Sequence, residues 1–168
     1  MKKALFLLML FGCFWSCDNG QKQPPVDLKS KKSQDNTICV KFRESHGLAV
    51  IPAKLNGVSI DMIFDSGCSG MQLSLHELQT LYKNGAFSED DIIGTTFSQV
   101  ADGSIVEDGV VIIRELAIGG EDGLVLHNLR ATVSLNEISP VLLGMDVISE
   151  VASVEIDNVH ETLNIRKK

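Results

Sequence analysis

Residues 58 to 67 read Val-Ser-Ile-Asp-Met-Ile-Phe-Asp-Ser-Gly, and no other stretch narrows the fold as much. Val58, Ile60, Met62 and Phe64 alternate, with polar Ser59 and Asp61 on the other side, the period-two pattern of a half-buried strand. The strand starts directly after Asn56-Gly57, the strongest short-range hairpin signal in the chain. It ends on a carboxylate, Asp65, followed by Ser66 and Gly67. A small hydroxyl and a glycine after a strand-end acid make a tight turn that leaves the carboxylate pointing out of the sheet. Alone, Asp-Ser-Gly is an ordinary turn. Its meaning depends on Pro140 to Ile148, an apolar strand broken by Gly144 and followed by a short amphipathic run.

The flanking segments extend a β pattern. Thr37 to Arg43 alternates at Ile38, Val40 and Phe42, and Ser45-His46-Gly47 is a turn. Leu48 to Leu55 is a second strand, in which Pro52 marks an edge or a bulge. Leu75, Leu78, Leu81 and Tyr82 have helical spacing. Ser74 with Glu77 forms a capping box ahead of them, and Lys83-Asn84-Gly85 stops the helix. His76 falls on the polar side. Strands over 97–105 and 106–113 flank Ala101-Asp102-Gly103-Ser104, a hairpin turn. Leu116 to Gly120 and Leu124 to Leu135 make another pair around Glu121-Asp122-Gly123. Met145 to Val151 is a short helix, and Ser153–Asp157 with Thr162–Ile165 forms a closing hairpin. No internal repeat is visible.

Taken together, Ile63-Phe64-Asp65-Ser66-Gly67, the hairpin at Ala101-Asp102-Gly103, and Leu142-Leu143-Gly144-Met145-Asp146 resemble the retropepsin-like aspartic proteases. The resemblance covers about residues 38 to 165 and is nearest to the bacterial single-domain members, because of the Leu-Leu-Gly-Met-Asp ending. It implies a mostly β chain: a small closed β-barrel with one or two short helices. It implies an aspartic-type endopeptidase acting on a peptide or protein, with Asp65 catalytic. Ser66, Gly67, Cys68 and Ser69 would complete the active-site loop, with Ser66 where many relatives carry Thr and Cys68 where Ala is commoner. Ala101, Asp102 and Gly103 would form the flap over the substrate. Leu143 and Gly144 would support the loop, the glycine permitting close backbone approach. One Asp-Ser-Gly per chain means that a working carboxylate pair needs two copies, so the active form implied is a homodimer. The alternative is a barrel of the same kind used as a non-catalytic binding module.

The first residues read as an address. Met1-Lys2-Lys3 precedes an apolar run, Ala4 to Phe11, too short to span a bilayer and suited to a signal peptide. Cys13 and Cys17 each follow a small residue, as in lipoprotein signals, where the cysteine becomes the lipidated first residue. Leu10-Phe11-Gly12-Cys13 fits the usual spelling. Cys17 fits the context, because Phe14 and Trp15 prolong the apolar run and the chain turns polar at Asp18. We take 1–16 as signal peptide, Cys17 as the lipidation site, 17–36 as a flexible polar tether and 37–168 as the folded domain. The protein is then exported and lipid-anchored to a bacterial membrane, facing the periplasm or the cell surface.

Composition excludes other classes. The chain of 168 residues has a formal net charge of −7. Removing Lys2 and Lys3 with residues 1–16 leaves 13 basic and 22 acidic residues, or −9. That balance supplies no basic face for nucleic acid. His46, His76, His127 and His160 show no ligand spacing, so neither a metal nor another cofactor is expected. Cys68 lacks any signature of a cysteine nucleophile. An oxidising compartment permits a disulfide, but the implied barrel keeps Cys39 and Cys68 apart.

Overall fold

The computed structural model describes residues 36–120 and 122–168. The expected signal peptide, Cys13, Cys17 and the tether up to residue 35 lie outside the described residues. The elements run β1 (Thr37–Lys41), β2 (Arg43–Ser45), β3 (Leu48–Leu55), β4 (Val58–Phe64), β5 (Met71–Ser74), α1 (Leu75–Lys83), a single 3-10 turn at Glu89–Asp91, β6 (Ile92–Gln99), β7 (Ile105–Ile118), β8 (Leu124–Ser134), β9 (Leu142–Leu143), α2 (Met145–Ile148), β10 (Ser153–Asp157) and β11 (Thr162–Arg166).

The main sheet has the order β2-β3-β4-β9-β5-β8-β7-β6. It closes on itself, because β7 also pairs with the end of β3, Ala53–Leu55 against Leu116–Ile118. The ring β3-β4-β9-β5-β8-β7 is therefore a closed barrel, which removes the exposed edges an open sheet would carry. A smaller sheet, β1-β11-β10, joins the two ends of the domain. Ile51, Leu55, Met62, Leu73, Ile113, Leu116 and Leu163 are sealed from solvent. Ile51 and Leu55 share one parity of β3, as alternation requires, whereas Ile113 and Leu116 on β7 do not.

Local chemistry explains the corners. Asn56 and Gly57 both have positive φ, 49° and 85°, the conformation of the type I′ hairpin that matches strand twist. Asn56 also ties three segments together. Its amide donates to the Ala86 carbonyl (2.8 Å), and its side-chain carbonyl accepts from the Glu115 N–H (2.9 Å). The Ser74 hydroxyl accepts from the Glu77 N–H and donates to the Glu77 carboxylate, capping α1. His76 is exposed on that helix.

Several sequence-based boundaries need correction. The first strand is two strands, β1 and β2, broken at Phe42, because β1 pairs with β11 and β2 with β3. Pro52 marks neither an edge nor a bulge. It falls between the β3 segment that pairs with β2 (Leu48–Val50) and the segment that pairs with β7 (Ala53–Leu55), where no ladder N–H is required. The segments expected at 106–113 and 116–120 are one continuous strand, β7. Alternation had hidden this, since the buried parity shifts from Val111 and Ile113 to Leu116 and Ile118. Strand β5 was not anticipated at all; four residues give too little period to read. Helix α2 ends at Ile148 rather than Val151.

Asn56→Ala would lose both side-chain bonds and hold a non-glycine residue without polar compensation at positive φ. We expect a loss of about 2–3 kcal/mol in unfolding free energy, measured by urea denaturation. A change below about 0.5 kcal/mol would contradict this account of the corner.

Candidate active site

Strand β4 delivers Asp65 to the end of the barrel wall, and β9 fixes it there. The two strands pair in parallel, Ile63 with Leu142 and Phe64 with Leu143. The Asp65 N–H donates to the Leu143 carbonyl (3.1 Å). Beyond the strand end the chain folds back on the carboxylate. Asp65 Oδ1 accepts from the Gly67 N–H (2.8 Å), and the Cys68 N–H donates to the Asp65 carbonyl (3.3 Å). This is the local bond that Asp favours in turns. A Cβ on Gly67 would stand 3.1 Å from Oδ1 and crowd it. Among the described residues Asp65 Oδ2 has no partner, and the residue is half-buried.

The second motif closes around the same loop. The Met145 N–H donates to the Cys68 carbonyl (2.8 Å) and the Asp146 N–H to the Ser69 carbonyl (3.0 Å). Gly144 lies between them. A Cβ there would meet the Gly70 oxygen at 2.1 Å and the Cys68 oxygen at 2.6 Å, both backbone atoms. Its φ of −98° suits any residue, so the glycine is required by space and not by conformation. Leu143 is buried beneath the loop.

The remaining loop residues divide clearly. Ser66, Gly67 and Ser69 are exposed, and Ser66 makes no side-chain hydrogen bond among the described residues. The Cys68 thiol turns inward and donates to the Gly70 carbonyl (3.1 Å). Cys39 and Cys68 are both free thiols. Among the described residues no group of three or more His, Cys, Asp or Glu could hold a metal ion.

Ala101, Asp102 and Gly103 form the exposed tip of the β6–β7 hairpin. The Ser104 N–H donates to Asp102 Oδ1 (2.8 Å), and the Gly103 N–H to the Val100 carbonyl (2.8 Å), with Gly103 at φ 87°. Hydrogen bonds from the Ser104 hydroxyl and backbone N–H hold the Asp102 carboxyl below its ordinary value. No hydrogen bond links this tip to the Asp65 loop among the described residues. Sequence reasoning passed over Gly70, which admits the Asp146 carboxylate: a Cβ would stand 3.4 Å from Asp146 Oδ2. Glycine two residues past Cys68 was the available signal.

With this geometry in view, comparison with known proteins is informative. A sequence profile of aspartyl proteases matches residues 51–147, from within β3 to within α2. The fold is similar to the crystal structure of a retropepsin-like aspartic protease from Rickettsia conorii, at a TM-score of 0.55 and 21% identity. That match covers 78% of this chain and 90% of the other. No curated protein shows significant sequence similarity to the chain.

Two outcomes follow from the geometry. Gly144→Ala cannot be accommodated without moving the Cys68–Gly70 backbone, so we expect a loss of about 3 kcal/mol or more, read by thermal or urea unfolding; an unchanged midpoint would refute the close approach. For Asp102, the folded carboxyl titrates below the unfolded one. The resulting stabilisation is present above pH 3.8 and lost as pH falls through the folded midpoint. Carboxyl NMR titration should give a midpoint under 3.8 that moves up in Ser104→Ala.

Proposed function

This chain belongs to the aspartyl protease family, and from that premise we propose that it is a homodimeric endopeptidase whose active site joins Asp65 of two copies. The observation that carries this reading is the position of Asp65 in a hydrogen-bonded, half-exposed loop with Oδ2 unpartnered among the described residues, together with the single Asp-Ser-Gly in the sequence. Across a two-fold axis the two carboxylates would hold one water. As is general for aspartic-protease dyads, two carboxyls that close cannot both ionise, so they share one proton. The ionised partner takes a proton from the water as the water attacks the scissile carbonyl. The protonated partner donates to the carbonyl oxygen, and the tetrahedral intermediate then collapses with proton transfer to the leaving amine. The titration belongs to the pair.

Ser66, exposed and with no side-chain hydrogen bond among the described residues, would cross-link the two loops through its hydroxyl. Gly67 leaves room for substrate backbone, while Cys68 and Ser69 form the floor. The tip at Ala101–Gly103 serves as the flap, a lid that excludes water and offers backbone bonds to an extended peptide. The lipoprotein-type start of the sequence supports export and anchoring to a bacterial membrane through Cys17, with the domain facing the periplasm or the cell surface. Metabolic labelling with a fatty acid, lost in Cys17→Ala, tests the anchor.

The catalytic test uses a mixed peptide library from mildly acidic to neutral pH, with products read by mass spectrometry and the assembly state by sedimentation. Asp65→Asn should cut at least about 10²- to 10⁴-fold more slowly with an unchanged fold. Cleavage retained in Asp65→Asn, or by a strict monomer, would overturn the mechanism. A monomer that cleaves nothing would leave the barrel as a binding module.

A further inference from the structure

Two strands of the main sheet stand outside the closed ring, β2 at one end and β6 at the other. A free sheet edge is a template for another chain, and folded proteins blunt it by shortness, charge or proline. Strand β2 follows that rule, with three residues of which Arg43 and Glu44 are charged and exposed. Strand β6 does not. Its eight residues, Ile92–Gln99, hold no charge and no proline, and its one irregularity, between Ile92 and Gly94, lies at the root.

Strand register identifies the groups on that edge. The Val100 N–H donates to the Ser104 carbonyl (3.0 Å), so hydrogen-bonded pairs recur at Ser98 with Val106 and at Thr96 with Asp108. The backbone N–H and C=O groups of Thr95, Phe97 and Gln99 therefore point away from β7, and among the described residues no hydrogen bond reaches them. Their side chains share one face with Gly109, Glu107 and Ile105, the paired residues of β7. On that face Phe97 and Ile105 are mostly exposed. The charge around the edge has one sign. Residues 84–113 include Glu89, Asp90, Asp91, Asp102, Glu107 and Asp108, and no lysine, arginine or histidine. Asp91 is buried and paired with Arg114 (3.5 Å). Glu89 and Asp90 at the root, Glu107 beside Phe97 and Asp102 at the tip are exposed. Pairing β6 with the β6 of a second copy would bring two such arms together, whereas a basic strand meets the opposite charge along its length.

We propose that the outer edge of β6 is a docking site for an extended, lysine- or arginine-rich segment of another protein, added to the sheet as a further strand. Backbone pairing with Thr95, Phe97 and Gln99 supplies affinity, aliphatic side chains of the segment cover Phe97 and Ile105, and its basic side chains answer the acids around the edge. The site is complete in one copy of the chain and does not require that the barrel hydrolyse what it holds.

The probe is a fluorescently labelled peptide of alternating Val and Lys. Its controls are a Val/Glu peptide and the Val/Lys peptide N-methylated throughout its backbone, which keeps the charge but cannot pair as a strand. Binding is read by anisotropy on protein carrying Asp65→Asn, so that no cleavage consumes the probe. The Val/Lys peptide should bind at least about tenfold tighter than either control, and Thr95→Pro should weaken it by a similar factor. Proline at this position removes an outward N–H and no ladder bond; thermal unfolding checks that the variant is folded, and the N-methylated control decides the matter on the unaltered edge if it is not. Amide exchange followed by NMR should slow on binding at Thr95, Phe97 and Gln99. Equal binding of the N-methylated peptide would mean attraction by charge alone and overturns the site. So do equal binding of the Val/Glu peptide, no binding, or protection confined to another part of the domain. Self-association in sedimentation that Thr95→Pro abolishes would assign the edge to a second copy and overturns it as well.

Discussion

The rest of the domain depends on the backbone crossing in which two-residue β9 is laid between β4 and β5 while the Asp65 loop wraps its end. Strand β9 pairs in parallel with β4 and antiparallel with β5. It is the link that joins the first half of the ring to the second. The same few residues hold the loop, through Leu143 to Asp65, Met145 to Cys68 and Asp146 to Ser69. All are backbone bonds, so side chains set none of them; what side chains do is stay out of the way. With van der Waals contact ordinarily beyond 3.4 Å, an atom 2.1 Å from a carbonyl oxygen has no place at residue 144. Barrel closure and positioning of the carboxylate are thus one constraint. A change that loosens the loop also opens the ring.

That constraint explains what the sequence made legible. A strand ending on Asp-Ser-Gly, and an apolar strand ending on glycine, are local patterns with local causes: alternation, a turn that needs small residues, and a crossing that needs no Cβ. The Asn56-Gly57 corner, the Ser74 cap and the closing hairpin are readable for the same reason. What escaped reading is non-local. Strand β5 exists because β8 and β9 flank it, and Met71 to Ser74 has too short a period to announce this. The continuity of β7 through Arg114 and Glu115 is imposed by pairing with β8 on one side and β3 at the end. Pro52 looked like an edge signal, and only the handover from β2 to β7 shows why a proline is harmless there. For the site, type and place of Asp65 were readable. The inward turn of the Cys68 thiol and the burial of Asp108 were not, since both depend on which face a neighbouring strand covers.

The domain presents polar groups it does not itself satisfy. Asp65 Oδ2 and the Ser66 hydroxyl, both within reach of solvent, have no partners among the described residues, and no sealed side-chain polar atom among those residues goes unpaired. Folded chains satisfy buried polar groups with few exceptions, and the described residues keep to that rule. The two unpartnered groups lie in the loop that a second copy would meet in the proposed dimer.

The β6–β7 arm shows the same incompleteness in mechanical form. Strand β6 pairs with β7 alone, and toward the tip, before Gly109, β7 has β6 as its sole strand partner. A lone two-stranded ribbon is marginal in water. This one leaves Phe97 74% and Ile105 70% exposed. Its root is where Val110 and Val111 are sealed. Segments with few buried contacts open at low free-energy cost.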